Sequence, residues 1–387
     1  MYNPESGWMV TGASFPRPVA QPVIFTYEEL KDPQSDLTER ILQAYGRDSL
    51  GLCCVSGVPN YQKYRQALLP KIHTLGNLPP SSLEKYVLPE AFYNVGWSHG
   101  KEKLGGGRPD LGKGSFYANP LFEDPGELDP TARERHPACA TPNVWPEEVS
   151  GFREAFIDAG KLLAEVGVML AGHMDKACQA HGIKCCSLVE ATFKNSRLCC
   201  GRALHYYPLK QEKTQNVPED SWCGWHNDNS VITGLFSPMI LDAATGQPST
   251  KPKDTEAGLY VQNRRCEVLQ VQLPSDCIAF QLGEAAQIMT GGHLVATPHM
   301  VKGSSVPDVS REQLAVFFEP DWDRVMAVPE GSSTDDMVNA GANIPEVPHL
   351  AKRYRGPSVT FGQFLEDSFR EYYNMKLSVV VGGEETV

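Results

Sequence analysis

The chain has 387 residues, of which 41% are hydrophobic and 21% are charged. This is the composition of a globular protein that can bury a large core, and it excludes a chain that is mostly disordered. Acidic residues number 47 against 35 lysines and arginines, for a net charge of −12. Because binding to a phosphate backbone requires clustered cations, nucleic acid is not expected as a partner.

The sequence also gives no sign of a membrane partner. No stretch approaches the roughly 20 apolar residues that cross a bilayer. The first residues, Met1 to Gly7, show neither the basic nor the apolar part of a secretory leader. We therefore expect a cytoplasmic protein whose 11 cysteines are reduced thiols.

The first half of the chain mixes strands and helices. Its opening part predicts a strand at 22–25, a helix at 36–45, a strand at 50–55, and helical structure over 60–88 that Pro79-Pro80 interrupts. Residues 96–146 are rich in Gly, Pro and Asn, so we expect a long loop there. The strongest helix is expected at 147–181, where apolar residues recur at three- and four-residue steps until Gly182.

After residue 197 the pattern changes to short β-prone runs that Gly, Pro, Asn and Asp separate. The runs are 204–207, 231–236, 258–262, 268–272, 277–282, 295–301 and 314–318. Many short strands of this kind predict a sandwich, a barrel or a jelly roll. The polar segment 242–256 is expected to be a surface loop, and a final helix is expected at 361–373.

Two His-x-Asp tripeptides are candidate metal ligands. A chain with 10 histidines and 47 acidic residues contains about one His-x-Asp/Glu tripeptide by chance, so geometry must separate the two. His173 and Asp175 lie in the long predicted helix, where residues two apart point about 200° apart around the axis. His226 and Asp228 precede a β-prone run, and in extended chain residues i and i+2 project to the same side.

A second histidine from a later strand would complete a face of two histidines and one carboxylate, the arrangement that binds Fe(II) and leaves positions open. His293 follows two glycines in a predicted turn, whereas His299 lies in a β-prone run. Arg311 opens another run, whose alternation places Arg311, Gln313 and Ala315 on one face. A buried arginine needs an anionic partner, and a ligand carboxylate would supply one.

Together these pieces resemble the 2-oxoglutarate/Fe(II)-dependent dioxygenase superfamily, specifically its isopenicillin N synthase-like branch. The resemblance covers about 120 residues of core. The N-terminal segment from Val23 to Val58 also resembles the family's N-terminal region. The matching motifs, in order, are Leu204-His205-Tyr206-Tyr207-Pro208, Trp225-His226-Asn227-Asp228, Gly258-Leu259-Tyr260-Val261, Gly283-Glu284, Thr297-Pro298-His299-Met300-Val301, and Arg311 to Pro320.

The fold that this resemblance implies is α+β with a mainly β core, a double-stranded β-helix (jelly roll, cupin-like) flanked by helices. We expect a single domain over residues 1–387. Within it the resemblance implies an N-terminal dioxygenase-like region at 1–130, the jelly-roll core at 197–320, and a C-terminal extension with a helix at 321–387.

The resemblance also implies the site. Fe(II) would be held by His226, Asp228 and His299, and the distal carboxylate of 2-oxoglutarate by Arg311 with Tyr207. Gln313 and His205 stand where the family commonly has Ser and Asn, so both are assigned to the cosubstrate pocket. Candidate substrate contacts come from the segments in which the family often builds the pocket wall: Tyr93, Trp97, His99, Phe116 and Tyr117.

The function that the resemblance implies is oxidation of an unidentified small molecule with O2, in which 2-oxoglutarate is converted to succinate and CO2. The oxidation could be a hydroxylation, a desaturation or a cyclisation. Two alternatives remain open: an Fe(II) oxidase of the same family that does not use 2-oxoglutarate, and a non-catalytic jelly-roll binding protein. The oligomeric state cannot be read from the sequence.

Overall fold

The structure is a computed structural model, and it describes residues 17–101, 103–104, 108–184, 187–209 and 222–373. The first residues, on which the leader argument rests, lie outside this part, as does the end of the C-terminal extension. Within the described ranges, no helix combines the length and the apolar character needed to cross a bilayer.

Sixteen strands and eleven α-helices are formed in the described part of the chain. The strands are β1 (Val19–Ala20), β2 (Val23–Thr26), β3 (Leu52–Ser56), β4 (Gly96–His99), β5 (Lys103–Leu104), β6 (Arg108–Pro109), β7 (Lys113–Ala118), β8 (Cys199–Tyr206), β9 (Cys223–His226), β10 (Ile232–Phe236), β11 (Met239–Asp242), β12 (Gly258–Gln262), β13 (Val268–Val271), β14 (Ile278–Leu282), β15 (His299–Lys302) and β16 (Val309–Phe318). The α-helices are α1 (Tyr27–Lys31), α2 (Thr38–Tyr45), α3 (Tyr61–Gly76), α4 (Pro80–Leu83), α5 (Ala132–Arg135), α6 (Pro137–Ala140), α7 (Phe152–Ala180), α8 (Glu284–Met289), α9 (Thr334–Val338), α10 (Leu350–Arg353) and α11 (Phe361–Tyr373).

Two sheets carry the architecture. The larger has the order β2-β3-β14-β10-β16-β8-β7-β4, with β11 also paired to β16, and the smaller has the order β1-β13-β12-β15-β9. An apolar cluster joins them, in which Leu204 and Tyr206 of β8 meet Cys223 of β9 and Val301 of β15. We call the face of the larger sheet that carries this cluster the inner face. The opposite, outer face packs against the helices.

The main core lies between the outer face and the helix α7. Phe156 and Leu163 of α7 are fully buried in it, as the apolar spacing predicted. The helix approaches β8 closely because residue 201 is a glycine: a Cβ there would lie 2.6 Å from the Phe156 ring. The helix ends where it was predicted to end, before Gly182, whose φ of +72° suits glycine.

The long loop predicted at 96–146 is wrong in part, because this segment contains β4 and β7. They pair with each other and extend the larger sheet beyond β8. Glycine and proline are frequent in the sequence of this segment, and they mask two strands that are stabilised by pairing. The sequence analysis also missed β9, whose four residues Cys-Gly-Trp-His include a glycine and only one strongly β-prone residue, Trp225.

Phe116 tests how the outer-face core contributes to stability. Its ring is fully buried and meets the Phe152 ring edge-on at 5.3 Å. We expect Phe116→Ala to lower the free energy of unfolding by about 3–5 kcal/mol in urea denaturation, because a large cavity would remain. The control Leu128→Ala, at a side chain that is 77% exposed, should change it by less than about 0.5 kcal/mol. Equal losses in the two variants would contradict this packing.

Candidate metal and cosubstrate site

His226 and His299 are brought together by strand pairing. β9 ends at His226, β15 begins at His299, and the two residues are paired in the antiparallel ladder. Their ring centroids lie 4.2 Å apart. Asp228 follows in the loop to β10, and its Oδ1 lies 3.7 Å from Nε2 of each histidine. Candidate ligand atoms of all three residues lie within 4.8 Å of one another.

The surroundings of these side chains fit a metal. Nδ1 of His226 lies 2.8 Å from the Gly224 carbonyl oxygen, and Nδ1 of His299 lies 3.1 Å from the Thr297 carbonyl oxygen. A carbonyl only accepts, so each Nδ1 carries a proton and donates it to the hydrogen bond. Each Nε2 is thereby directed at Asp228 as the nitrogen available for coordination, the usual arrangement around metal-binding histidines.

The two histidines differ in their affinity for a proton. Burial lowers the pKa of His226, but Cys223 and Asp228 outweigh burial and raise this pKa to about 9. Burial and the neighbouring His226 lower the pKa of His299 to about 4. Because a coordinating imidazole must be neutral, metal binding at neutral pH competes with one proton, which is held on His226.

A hydroxyl that the sequence analysis did not single out orients Asp228. Thr233 on β10 donates its hydroxyl hydrogen to Oδ2 of Asp228 at 2.7 Å, and the Ser230 hydroxyl lies 2.9 Å from that of Thr233. Oδ1 is thus left for coordination. The alternation of side chains along β10 could have indicated Thr233, because it lies two residues before Leu235 and therefore on the same inner face.

Thr233→Val tests this contact. Loss of the hydroxyl should let the Asp228 carboxylate rotate and weaken Fe(II) binding by about 10- to 100-fold in an anaerobic titration. The matched control is Thr192→Val, at a buried threonine whose hydroxyl has no hydrogen-bond partner in the described part of the chain. Unchanged Fe(II) affinity in Thr233→Val would show that the hydroxyl does not orient the ligand.

The buried ion pair of Glu284 and Arg353 holds the loop that carries Asp228 in place. Glu284 begins α8, and its backbone nitrogen donates to the Asp228 carbonyl oxygen at 2.8 Å. Its carboxylate accepts from the Asn227 side chain at 2.9 Å and from Arg353 at 2.6 and 2.5 Å. Tyr372 of α11 accepts from the Asn227 backbone nitrogen at 3.1 Å. The C-terminal helices are thus tied to the residue between His226 and Asp228.

Replacing Arg353 should destabilise the fold, because it leaves the Glu284 carboxylate buried without its counter-ion. The side chains of Arg353 and Glu284 are 0% and 2% exposed. Arg353→Met should therefore lower the free energy of unfolding by about 3–5 kcal/mol in urea denaturation. Arg370→Met, which removes a half-buried partner of two acidic residues on α11, should cost less than about 1 kcal/mol. Equal losses of unfolding free energy in Arg353→Met and Arg370→Met would show that the buried ion pair does not stabilise the fold in this way.

Arg311 lies on the inner face of β16, as the alternation predicted. It is 3% exposed, and its Nη1 is buried without a hydrogen-bond partner in the described ranges. Its Cζ lies 4.7 Å from the centroid of the Tyr206 ring, because the two residues are paired across β16 and β8. Gln313 shares this face and donates its amide nitrogen to the Phe236 carbonyl oxygen at 3.1 Å.

His205 and Tyr207 do not lie beside Arg311, and we do not carry their cosubstrate role forward. His205 lies on the outer face, where its Nδ1 is 2.9 Å from the Glu312 carboxylate. The Tyr207 hydroxyl donates to the Gly76 carbonyl oxygen at 3.0 Å, at the end of α3. The physical reason is strand parity: the register pairs Arg311 with Tyr206, so the neighbours of Tyr206 face the other way.

The alternation of side chains along strands also places the residues that were predicted to contact substrate on different faces of the sheet. Trp97 and Phe116 are paired with each other and belong to the core on the outer face, so we do not carry their substrate role forward. His99 lies against the Tyr207 ring, with centroids 5.0 Å apart. Tyr93 is half-buried, with Lys101 Nζ 5.1 Å from its ring centroid. Among the five, Tyr117 is the residue that the strand register places on the inner face. It is paired with Arg202 of β8, which is paired in turn with the inner-face residue Ala315 of β16.

Comparisons with known proteins agree with this architecture. No family model matches the chain, and no curated protein matches it in sequence. Among solved structures, a 2OG-Fe(II) oxygenase family protein from Caulobacter crescentus has a TM-score of 0.64 at 19% identity, covering 90% of this chain and 98% of its own. A full-length Neurospora crassa protein in complex with alpha-KG has a TM-score of 0.59 at 18% identity, covering 88% of this chain and 93% of its own.

A third structure, JOX2 in complex with 2OG, Fe and JA, has a TM-score of 0.58 at 18% identity, covering 91% of this chain and 86% of its own. None of these three names the isopenicillin N synthase-like branch, which stays a prediction. The resemblance to the wider superfamily is confirmed at the level of the fold: this chain has the fold of 2-oxoglutarate/Fe(II)-dependent oxygenases.

Proposed function

We propose that this protein is a 2-oxoglutarate-dependent Fe(II) oxygenase that oxidises a small molecule and releases succinate and CO2. The observation that carries the proposal is the convergence of His226, Asp228 and His299 at one point. Arg311 is buried on the inner face of the larger sheet. Its fold neighbours include proteins in complex with alpha-KG, or with 2OG and Fe. The metal would activate O2 at positions that the three ligands leave open.

The strand order supports a double-stranded β-helix. Counted from β8 and without β11, the eight strands that follow one another along the chain are β8, β9, β10, β12, β13, β14, β15 and β16. The larger sheet takes the first, eighth, third and sixth of them, and the smaller sheet takes the second, seventh, fourth and fifth. Successive strands thus cross from one sheet to the other at every step except that from β12 to β13, as in a jelly roll.

Each residue would have a separate task. His226, Asp228 and His299 hold Fe(II), and the Gly224 and Thr297 carbonyls fix the orientation of the two rings. Arg311 binds the distal carboxylate of 2-oxoglutarate, which supplies the anionic partner that its buried Nη1 lacks. The Tyr206 ring packs on the guanidinium and holds it in place.

The test is an anaerobic titration of the metal-free protein with Fe(II) and 2-oxoglutarate, monitored by the weak visible charge-transfer band of a chelated keto acid. We expect the band in the wild type and no band in His226→Ala. Arg311→Met should need roughly 10- to 100-fold more 2-oxoglutarate, because it lacks a charge-assisted contact. Arg265→Met, at an arginine side chain that is 70% exposed, should titrate like the wild type.

The same experiment separates the alternatives. Iron binding without the band would favour an Fe(II) oxidase that does not use 2-oxoglutarate. No iron binding at all would overturn the enzymatic proposal and favour a binding protein with this fold.

A further inference from the structure

Another buried pair of side chains lies directly behind Arg311, on the outer face of the larger sheet. Nδ1 of His205 lies 3.0 Å from Oε1 and 2.9 Å from Oε2 of Glu312. The two side chains are 1% and 0% exposed. His205 belongs to β8 and Glu312 to β16, and the two residues are paired in the ladder. Their contact therefore joins the two strands in addition to the backbone hydrogen bonds.

The helix α3 covers this pair. A Cβ at Gly76, the last residue of α3, would lie 2.4 Å from the His205 ring, so the helix backbone packs directly on the imidazole. Nε2 of His205 is buried without a hydrogen-bond partner in the described part of the chain. Because a proton on this nitrogen would have no acceptor, the ring hydrogen is placed on Nδ1, where it is donated to the Glu312 carboxylate.

The pair lies next to the end of a strand. β8 ends at Tyr206, one residue after His205, and Tyr206 is paired with Arg311. The last pair of a ladder has a neighbouring pair on one side only, and the ends of elements open more readily than their centres. The neighbouring pair here is that of His205 and Glu312. Its side-chain hydrogen bond therefore holds together the end of the ladder at which the Tyr206 ring packs on Arg311.

Glu312 also acts on Arg311 through its charge. Consecutive residues of a strand point to opposite faces, so the carboxylate and the guanidinium lie on opposite sides of β16. Burial lowers the pKa of Arg311, and the negative charge of Glu312 is among the contributions that oppose burial. The same charge repels a carboxylate ligand of Arg311. The charge and the hydrogen bond of Glu312 should thus have opposite effects on the binding of an anion.

We propose that the hydrogen bond between His205 and Glu312 positions Arg311 for binding the distal carboxylate of 2-oxoglutarate. Neither residue would touch the cosubstrate. Both act through the adjacent strand pair, in which Tyr206 packs on the guanidinium. A ligand-binding side chain that is held by supporting contacts is preorganised, and it loses affinity when the support is removed. This inference rests on the proposed function for the identity of the ligand.

The test uses the anaerobic titration of the proposed function, with the affinities for 2-oxoglutarate and for Fe(II) alone determined separately. The double variant His205→Leu, Glu312→Leu replaces the buried pair with apolar side chains and should bind 2-oxoglutarate about tenfold more weakly. Its Fe(II) affinity should equal that of the wild type, because the pairing of β9 with β15 is unchanged. Glu312→Gln keeps an acceptor for Nδ1 and loses the charge, so it should bind 2-oxoglutarate at least as tightly as the wild type.

Two further measurements separate positioning from a general loss of stability. The matched control is Leu163→Ala, at a fully buried residue of the outer-face core, which should lose about 2–5 kcal/mol of unfolding free energy but bind 2-oxoglutarate like the wild type. Hydrogen–deuterium exchange requires neither Fe(II) nor 2-oxoglutarate. In the double variant the segment 199–206 should exchange faster than in the wild type, and the segment 299–302 should exchange at the wild-type rate.

The inference would be overturned by wild-type affinity for 2-oxoglutarate in the double variant, or by unchanged exchange in the segment 199–206. Equal weakening of 2-oxoglutarate binding in Glu312→Gln or in Leu163→Ala would overturn it as well, because charge or general stability would then explain the effect. Absence of the charge-transfer band in the wild type would instead overturn the proposed function. The exchange measurement would still decide whether the pair holds the end of β8 against Arg311.

Discussion

The pairing of β9 with β15 is the constraint on which the site depends. It places His226 opposite His299 at the place where one strand ends and the other begins. The strand pairing thereby sets the positions of the two rings, whose centroids lie 4.2 Å apart. Asp228 needs only the next two residues of chain to reach them. A metal site built on a ladder in this way is preorganised, because moving one ligand would require breaking strand pairing.

The rest of the fold serves to hold the loop between β9 and β10. Thr233 binds the carboxylate from the β10 side, and Glu284 binds the backbone from α8. Glu284 is in turn neutralised by Arg353, which the C-terminal helices bury. The loop is thus fixed by the adjacent strand β10 and by two distant parts of the chain, α8 and the C-terminal helices. The C-terminal extension therefore supports the candidate metal site without contributing a ligand.

The sequence correctly predicted those helices and strands whose apolar residues recur at a regular spacing. The long helix and the final helix at 361–373 were confirmed, because their apolar spacing reflects one buried face. The strand at 258–262 was also confirmed, and its three central residues are all buried. The loop predicted at 96–146 was wrong in part, since β7 is stabilised by pairing with β8 and β4 by pairing with β7, and both strands contain a glycine. The buried helix α8 was also missed, because all six of its residues are buried and an amphipathic period cannot form.

The sequence by itself determined which residues were candidates for the metal site. His-x-Asp in extended chain, a later histidine and an alternating strand with Arg311 are local patterns, and the structure brings His226, Asp228 and His299 together. Only the tertiary structure decided which neighbours face the site. Strand register selected Tyr206 over His205 and Tyr207, and it placed Phe116 in the core and Tyr117 on the inner face. A shift of one residue reverses every side chain, and the pairing partners that set the register lie far away in sequence.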